Sequence, residues 1–270
     1  MVVGSIELLP VRDAVGLLAE YGEAYPDVPA EAWEPYRALY PELFAGASWR
    51  LPCNSFLIRS EGVTVLVDTG VGPPGLWHWI AESEGDLPRA LEEYGVTRDE
   101  IDIVFLTHLH IDHLGWNADL EASVFFPRAR YVVHGDALAF ARKRSELPHI
   151  RRCVEPLAER FETIEGDVEI VPGVTSFAAP GHYPGHLGLR LESDGRKALL
   201  IADAAVHPAL LDNPDWLYVS GEHVLVPGTR VLRKRDNPST HRRFRYVPVP
   251  GTRVFQERDD RSTDGRLGMS

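Results

Sequence analysis

The chain has 270 residues, 28 basic against 40 acidic side chains, a formal charge of −12 and an apolar fraction of 44%. That acidic balance excludes nucleic acid or an anionic membrane as the principal partner, because phosphate recognition draws on an excess of Lys and Arg. No stretch approaches the ~18 apolar residues of a membrane-spanning helix, and Met1 to Pro10 carries Glu7 with neither a basic nor an apolar leader region. The expectation is therefore a soluble, cytoplasmic protein whose partner is a small molecule, as a monomer or a homodimer. Cys53 and Cys153 are too few for a disulfide framework and lack metal-type spacing, so both read as reduced packing residues.

In chain order, Val2 to Val11 reads as a strand, and Asp13 as the cap of a short helix through Glu20. Tyr25 to Gly46 interleaves Pro26, Pro29, Pro35 and Pro41 with Trp33, Tyr36, Tyr40, Leu43 and Phe44, the composition of a broken helical hairpin or lid packed by its aromatics. Asn54 to Arg59 and Val63 to Val67 are apolar and β-branched, with Glu61-Gly62 as the turn of a hairpin. Leu87 to Tyr94 reads as a helix ended by Gly95. Ile101 to Leu106, apolar except for Asp102, has the mark of a strand buried on both faces. Arg130 to His134 is a further strand before a helix from Asp136 to about Arg144; more strands follow at Val168 to Val171, Val174 to Ala178, Leu187 to Leu191 and Ala198 to Ala202. This alternation predicts two sheets layered between helices.

The segment that carries chemistry follows the apolar run: Thr107-His108-Leu109-His110-Ile111-Asp112-His113-Leu114-Gly115. His108, His110, Asp112 and His113 are four metal donors at the end of a buried strand, and imidazole with carboxylate suits zinc. Adjacent Asp112 and His113 must point in different directions, so two ions are a simpler solution than one. His108 and His110 would take the first, and Asp112 and His113, on the first turn of a following helix, the second. Ala179 to His186 places two Gly-His pairs, His182 and His186, in a rigid turn; only one need bind metal while the other holds the loop. Asp203 emerges at the end of an apolar strand, where a carboxylate could reach both ions.

His-x-His-x-Asp-His, then Pro-Gly-His-x-x-Gly-His, then a strand-end Asp, preceded by Val65 to Gly70 with its Asp-Thr-Gly ending, resembles the metallo-β-lactamase-fold hydrolases, a group that includes lactonases, glyoxalase II-like thioesterases and methyl-parathion-hydrolase-like enzymes. The resemblance covers roughly residues 50 to 215 and implies a four-layer αββα sandwich of two mixed β-sheets flanked by helices. It implies two divalent metal ions, zinc first with iron or manganese as alternatives, held by His108, His110 and His186 on one side and Asp112 and His113 on the other. Asp203 would bridge them, Asp68 would support a ligand from behind, and His182 would be structural. The activity implied is hydrolysis of a small ester, lactone, thioester or phosphotriester by a metal-held hydroxide, with Asp112 also shuttling a proton to the leaving group. A mononuclear iron oxygenase and a noncatalytic relative are the competing members of the same fold.

Two departures accompany the resemblance. Lactonases of the family often carry Tyr three residues after the bridging Asp, where this chain has Val206, followed by His207. The family's last histidine ligand has no clean counterpart: Val224 to Asp236 recurs as Val247 to Asp259 with nine of thirteen positions identical, and the repeat aligns His223 with Tyr246. His223 is the expected ligand and His241 its rival. Residues 228–270 carry a net charge of +6 against −18 for residues 1–227. The expectation is a hydrolase-like domain over 1–227 and an atypical, Arg-rich, partly disordered segment over 228–270.

Overall fold

The computed structural model describes residues 1–76, 84–216 and 218, together with the backbone of 244–246 and 254–257. The N-terminal run forms β1 (Val2–Val3) and the long β2 (Ile6–Glu20). Helix α1 (Tyr21–Ala24) and α2 (Glu34–Leu39) follow, with single 3-10 turns at Ala30–Trp33 and Pro41–Leu43, so the proline-rich stretch is a broken helical segment as expected. Next come β3 (Phe44–Ala45), β4 (Ser48–Ser60) and β5 (Val63–Val67). Glu61 and Gly62 join the last two at φ +48° and +81°, both positive as a two-residue I′-type hairpin demands.

Helix α3 (Leu87–Glu92) leads to β6 (Ile103–Phe105) and β7 (Arg130–His134); α4 (Gly135–Arg142), α5 (Pro148–Cys153) and β8 (Phe161–Ile164) complete the first half. The second half is β9 (Glu169–Val171), β10 (Val174–Ala178), β11 (Leu187–Ser193), β12 (Arg196–Leu200) and α6 (Ala209–Asp212). Two short strands from the basic C-terminal segment, β13 (Phe244–Tyr246) and β14 (Val254–Glu257), also pair, β14 against β12.

The strands make two sheets. One runs β1-β2-β4-β5-β6-β7-β8 with β3 beside β4, and is mixed, since β5 to β8 are parallel. The other runs β13-β14-β12-β11-β10-β9 and is antiparallel throughout its described strands. Between them lies a dry layer in which Ile58, Val65, Val67 and Phe105 meet Val174, Leu187, Leu189 and Leu200. The opposite face of the first sheet, with Leu57, Leu66, Val104 and Tyr131, packs on Leu87, Leu91, Leu138 and Ile150 of α3, α4 and α5. The outer side of the second sheet meets α6 and the broken helical segment. This is the expected αββα layering. Each fully buried Leu, Ile or Val contributes about 1.5–3 kcal/mol through removal from water, which is why strands buried on both faces read as unbroken apolar runs.

Two local expectations are corrected. Residues 13–20 are not a helix: β2 continues to Glu20, because Ala14 to Leu17 pair with Cys53 to Arg50, and Asp13 is the extra residue of a β-bulge between Arg12 and Ala14. Asp112 and His113 sit in a tight turn followed only by a 3-10 turn at Gly115–Asn117, not on a helix. Both cysteines are free and buried, and burial pushes the Cys153 thiol up to about 11. No helix among the described residues is long and apolar enough to cross a membrane.

Candidate metal centre

The parallel strands β5 and β6 end side by side, so Asp68 and Thr107 leave adjacent strand ends together. The Asp68 carboxylate accepts from Thr107 N at 2.8 Å and from the Thr107 hydroxyl at 2.8 Å, and His113 Nδ1–H donates to it at 2.7 Å. His108 Nδ1 lies 3.0 Å from the same Thr107 oxygen. Because the hydroxyl proton goes to Asp68, His108 Nδ1 must be the donor of that contact. Both imidazoles thus spend their one proton behind the site and turn Nε2 inward, a carboxylate–histidine arrangement that fixes tautomer and ring orientation for a metal. Full burial, with His113 and further imidazoles nearby, holds His108 well below the ordinary histidine range, so it is a neutral donor.

Two groups of donors result. His108 Nε2 lies 3.0 Å from His110 Nδ1, which lies 2.9 Å from His182 Nε2. Neutral imidazoles carry one proton each, whereas donors around a tetrahedral ion at about 2.0–2.1 Å sit about 3.3 Å apart. Three ring nitrogens at this spacing therefore fit a cation better than one another. The second group is His108, His113 and Asp203, with Asp112 Oδ2 at 3.7 Å from His113 Nε2. Asp203 joins the two: its Oδ1 is 3.4 Å from His113 Nε2 and its Oδ2 is 3.4 Å from His182 Nε2. The strand-end expectation for this carboxylate is matched by a 3-10 turn at Ala202–Ala205, entered through Ala202 at φ +46°. A left-handed alanine costs about 1 kcal/mol or more, strain that swings Asp203 under the histidines.

The two Gly-His pairs stand at different distances from the donor groups. His182 enters the His108–His110 group, whereas His186 belongs to neither group. His186 Nδ1–H donates to Ala179 O at 2.7 Å, the same kind of backing bond that His108 and His113 make, which leaves Nε2 as its unprotonated nitrogen with the ring 5.0 Å from His108. His223 and His241, both candidates for the last ligand, lie outside the described residues, as do Trp77 and Trp79. Thr107 could not be singled out by composition, since a Thr beside His108 gains meaning only once β5 delivers Asp68 to it. Tyr183, whose ring lies 4.8 Å from His110 and 5.6 Å from His108, is likewise visible only in three dimensions. So is His149 on α5, held below its usual range by burial and by His110. A small cleft borders Asp112 and His113 and is also lined by Leu51, Cys53 and Phe56.

His207 is buried in a box of aromatic faces, edge-on to Trp33 at 5.3 Å, Tyr21 at 5.8 Å and Phe44 at 5.8 Å, and accepts from Ala209 N at 3.1 Å. It anchors the chain that leaves Asp203. Desolvation pushes its pKa down to about 3, below the 6.5 of the unfolded chain. The unfolded state therefore takes up the proton first, and stability present above pH 6.5 is lost as pH falls toward 3. At pH 5 the metal-free protein should have lost about 2 kcal/mol on this account. Urea unfolding midpoints at pH 7 and pH 5 check this: His207→Asn, which keeps an acceptor for Ala209 N but does not titrate, should show a smaller difference, and an equal difference would exclude His207 as the cause.

Comparisons with known proteins place the chain in a family. An N-acyl homoserine lactonase from Bacillus sp is 32% identical over 171 residues, 57% of this chain, and the chain covers 64% of that relative's length. A probable metal-dependent hydrolase from Staphylococcus aureus superposes with a TM-score of 0.70 at 23% identity, over 83% of this chain and 82% of that one. AidC, a dizinc quorum-quenching lactonase in complex with a product, gives 0.69 at 20% identity, over 83% and 80%. The model of the metallo-beta-lactamase superfamily matches residues 48–250, a span that includes the Asp68 strand end, the histidine cluster and Asp203, and the chain belongs to that superfamily.

Proposed function

We propose that the protein is a dinuclear metal hydrolase that opens a small acyl ester, with N-acyl lactones as the first substrate class. The observation that carries this is Asp203, whose two oxygens each lie 3.4 Å from a nitrogen of a different donor group. In this assignment His108, His110 and His182 hold one ion, Asp112 and His113 the other, and Asp203 both, with His182 taking the place that resemblance gives to His186. Zinc suits the imidazole-rich set. Two such ions lower the pKa of coordinated water toward ~7 and polarise the scissile carbonyl.

The chain's own groups do the rest. Asp68 keeps His113 and, through Thr107, His108 in the tautomer that points Nε2 inward. Asp112, whose side chain is 19% exposed against 7% for Asp203, borders the cleft and is placed to carry a proton. In the net reaction the acyl C–O bond breaks, the water oxygen joins the acyl carbon, and Asp112 passes a proton to the departing alkoxide. Leu51, Cys53 and Phe56 offer an apolar wall to the acyl part. Val206 supplies no hydroxyl to the carbonyl, the one departure that weighs against lactones and keeps other acyl esters in the substrate test.

The test is zinc-loaded full chain assayed against N-hexanoyl and N-decanoyl homoserine lactones, an aryl ester, a thioester and a phosphotriester. Lactone opening that is lost on chelation and restored by zinc is the expected outcome. Faster phosphotriester or thioester turnover would transfer the substrate class, and no metal-dependent turnover on any of them would end the hydrolase assignment.

A further inference from the structure

Asp13 belongs to neither donor group, yet its carboxylate joins the loop that follows Asp68 to the loop that follows His113. It is 3% exposed, at the bulge of β2. Its Oδ2 accepts from Val71 N at 2.6 Å, and its Oδ1 from Asp86 N at 2.8 Å, Leu87 N at 2.8 Å and Trp116 Nε1 at 2.9 Å. Four N–H donors and no acceptor demand an ionised carboxylate. Burial pushes its pKa up to about 6 against those donors, so at neutral pH it is an anion.

What these donors belong to is the point. Val71 lies three residues after Asp68, which orients His113; Trp116 lies three residues after His113 itself. The two loops are also laced together: Thr69 N donates to His113 O at 2.7 Å, Gly115 N to Gly70 O at 2.7 Å, Trp116 N to Thr69 O at 3.0 Å, and the Thr69 hydroxyl to Asn117 Oδ1 at 3.0 Å. The packing is too close for any side chain at two positions. A Cβ on Gly70, at φ +58°, would strike the Asp13 carboxylate, and one on Gly115 would strike the Val71 backbone. Asp13 therefore closes a clamp whose other end is His113, while His182 of the three-histidine group stands on the Ala179–His186 turn, to which Asp13 makes none of these bonds.

We infer that Asp13 is a positioning residue that acts mainly on the affinity of the ion on the His113 side, the three-histidine side being tied in addition to the Ala179–His186 turn. This rests on the two-ion assignment above. Residues that orient ligands without touching the metal are worth about 10–100-fold in metal affinity, and one step further back the lower end applies. Asp13→Asn keeps the size but puts an amide N–H against Val71 N–H.

Competition titration of the metal-free full chain against a chromophoric chelator yields two zinc constants, and cobalt substitution gives each ion a visible spectrum. For Asp13→Asn the weaker constant should drop about 10-fold with the cobalt band of that ion broadened or lost, while the tighter constant stays within about threefold. Trp116→Phe removes one donor and leaves the carboxylate in place; it should weaken the same constant by about threefold and serves as the test where Asp13→Asn does not fold. Both constants unchanged, or both falling together in step with the unfolding midpoint of the metal-free protein, would overturn the inference. A wild-type chain that binds fewer than two ions would instead overturn the two-ion assignment.

Discussion

Replacing His110 by alanine is expected to strip one ion from the protein and to lower ester or lactone turnover by roughly 10²–10³-fold or more, the scale seen when a single group stabilising transition-state charge is removed. His110 presents Nδ1, not Nε2, to His108 and His182, at 3.0 and 2.9 Å, so it is the short arm of the three-histidine group. No other described side chain can substitute from that direction, since His149 faces the same region from α5 but is not part of either donor group. The fold should survive the change. His110 is part-exposed and lies outside the dry layer between the sheets, so the unfolding midpoint of the metal-free variant should stay close to that of the parent. Metal analysis by atomic emission together with turnover decides the matter. Two ions retained with unchanged rate would remove His110 from the site.

Much of the layered fold is legible because burial on both faces leaves a mark in sequence: Ile103 to Leu106 is an unbroken apolar run, and Glu61-Gly62 announces its turn through the φ values it must adopt. The misreadings fall where a polar side chain is used at long range. Asp13 looks like a helix cap, since Asp before a polar and apolar mixture commonly is one. Its real partners are 58, 73, 74 and 103 residues away, and no local pattern reports them. The turn at Asp112–His113 reads as helical for a similar reason: its backbone is committed instead to Thr69 and Gly70 of another strand end. Asp68, by contrast, is legible through the resemblance of its Asp-Thr-Gly strand end to the family's, although what it does depends on Thr107.

The pair His182 and His186 shows where spacing alone gives out. Each follows a glycine and each stands in the same rigid turn, so sequence offers two equivalent imidazoles. What differs is which donors each ring stands beside. His186 precedes β11 directly, is 1% exposed, and Ala179 O takes its Nδ1 proton at 2.7 Å, which locks the turn shut. His182 sits at the crest of the turn, with Nε2 2.9 Å from His110 Nδ1 and 3.4 Å from Asp203 Oδ2. His182→Ala should therefore behave as a ligand deletion, with about one ion lost per chain, turnover down by roughly 10²–10³-fold and little change in the unfolding midpoint of the metal-free protein. His186→Ala should behave as a core deletion: the buried Ala179 carbonyl loses its imidazole donor at a cost of about 1–3 kcal/mol, and the metal-free protein unfolds earlier. The two readouts, metal content and metal-free stability, move in opposite order for the two variants. Should His186→Ala lose the ion while His182→Ala keeps it, the ligand assignment passes to His186 and the turn must rearrange when metal binds.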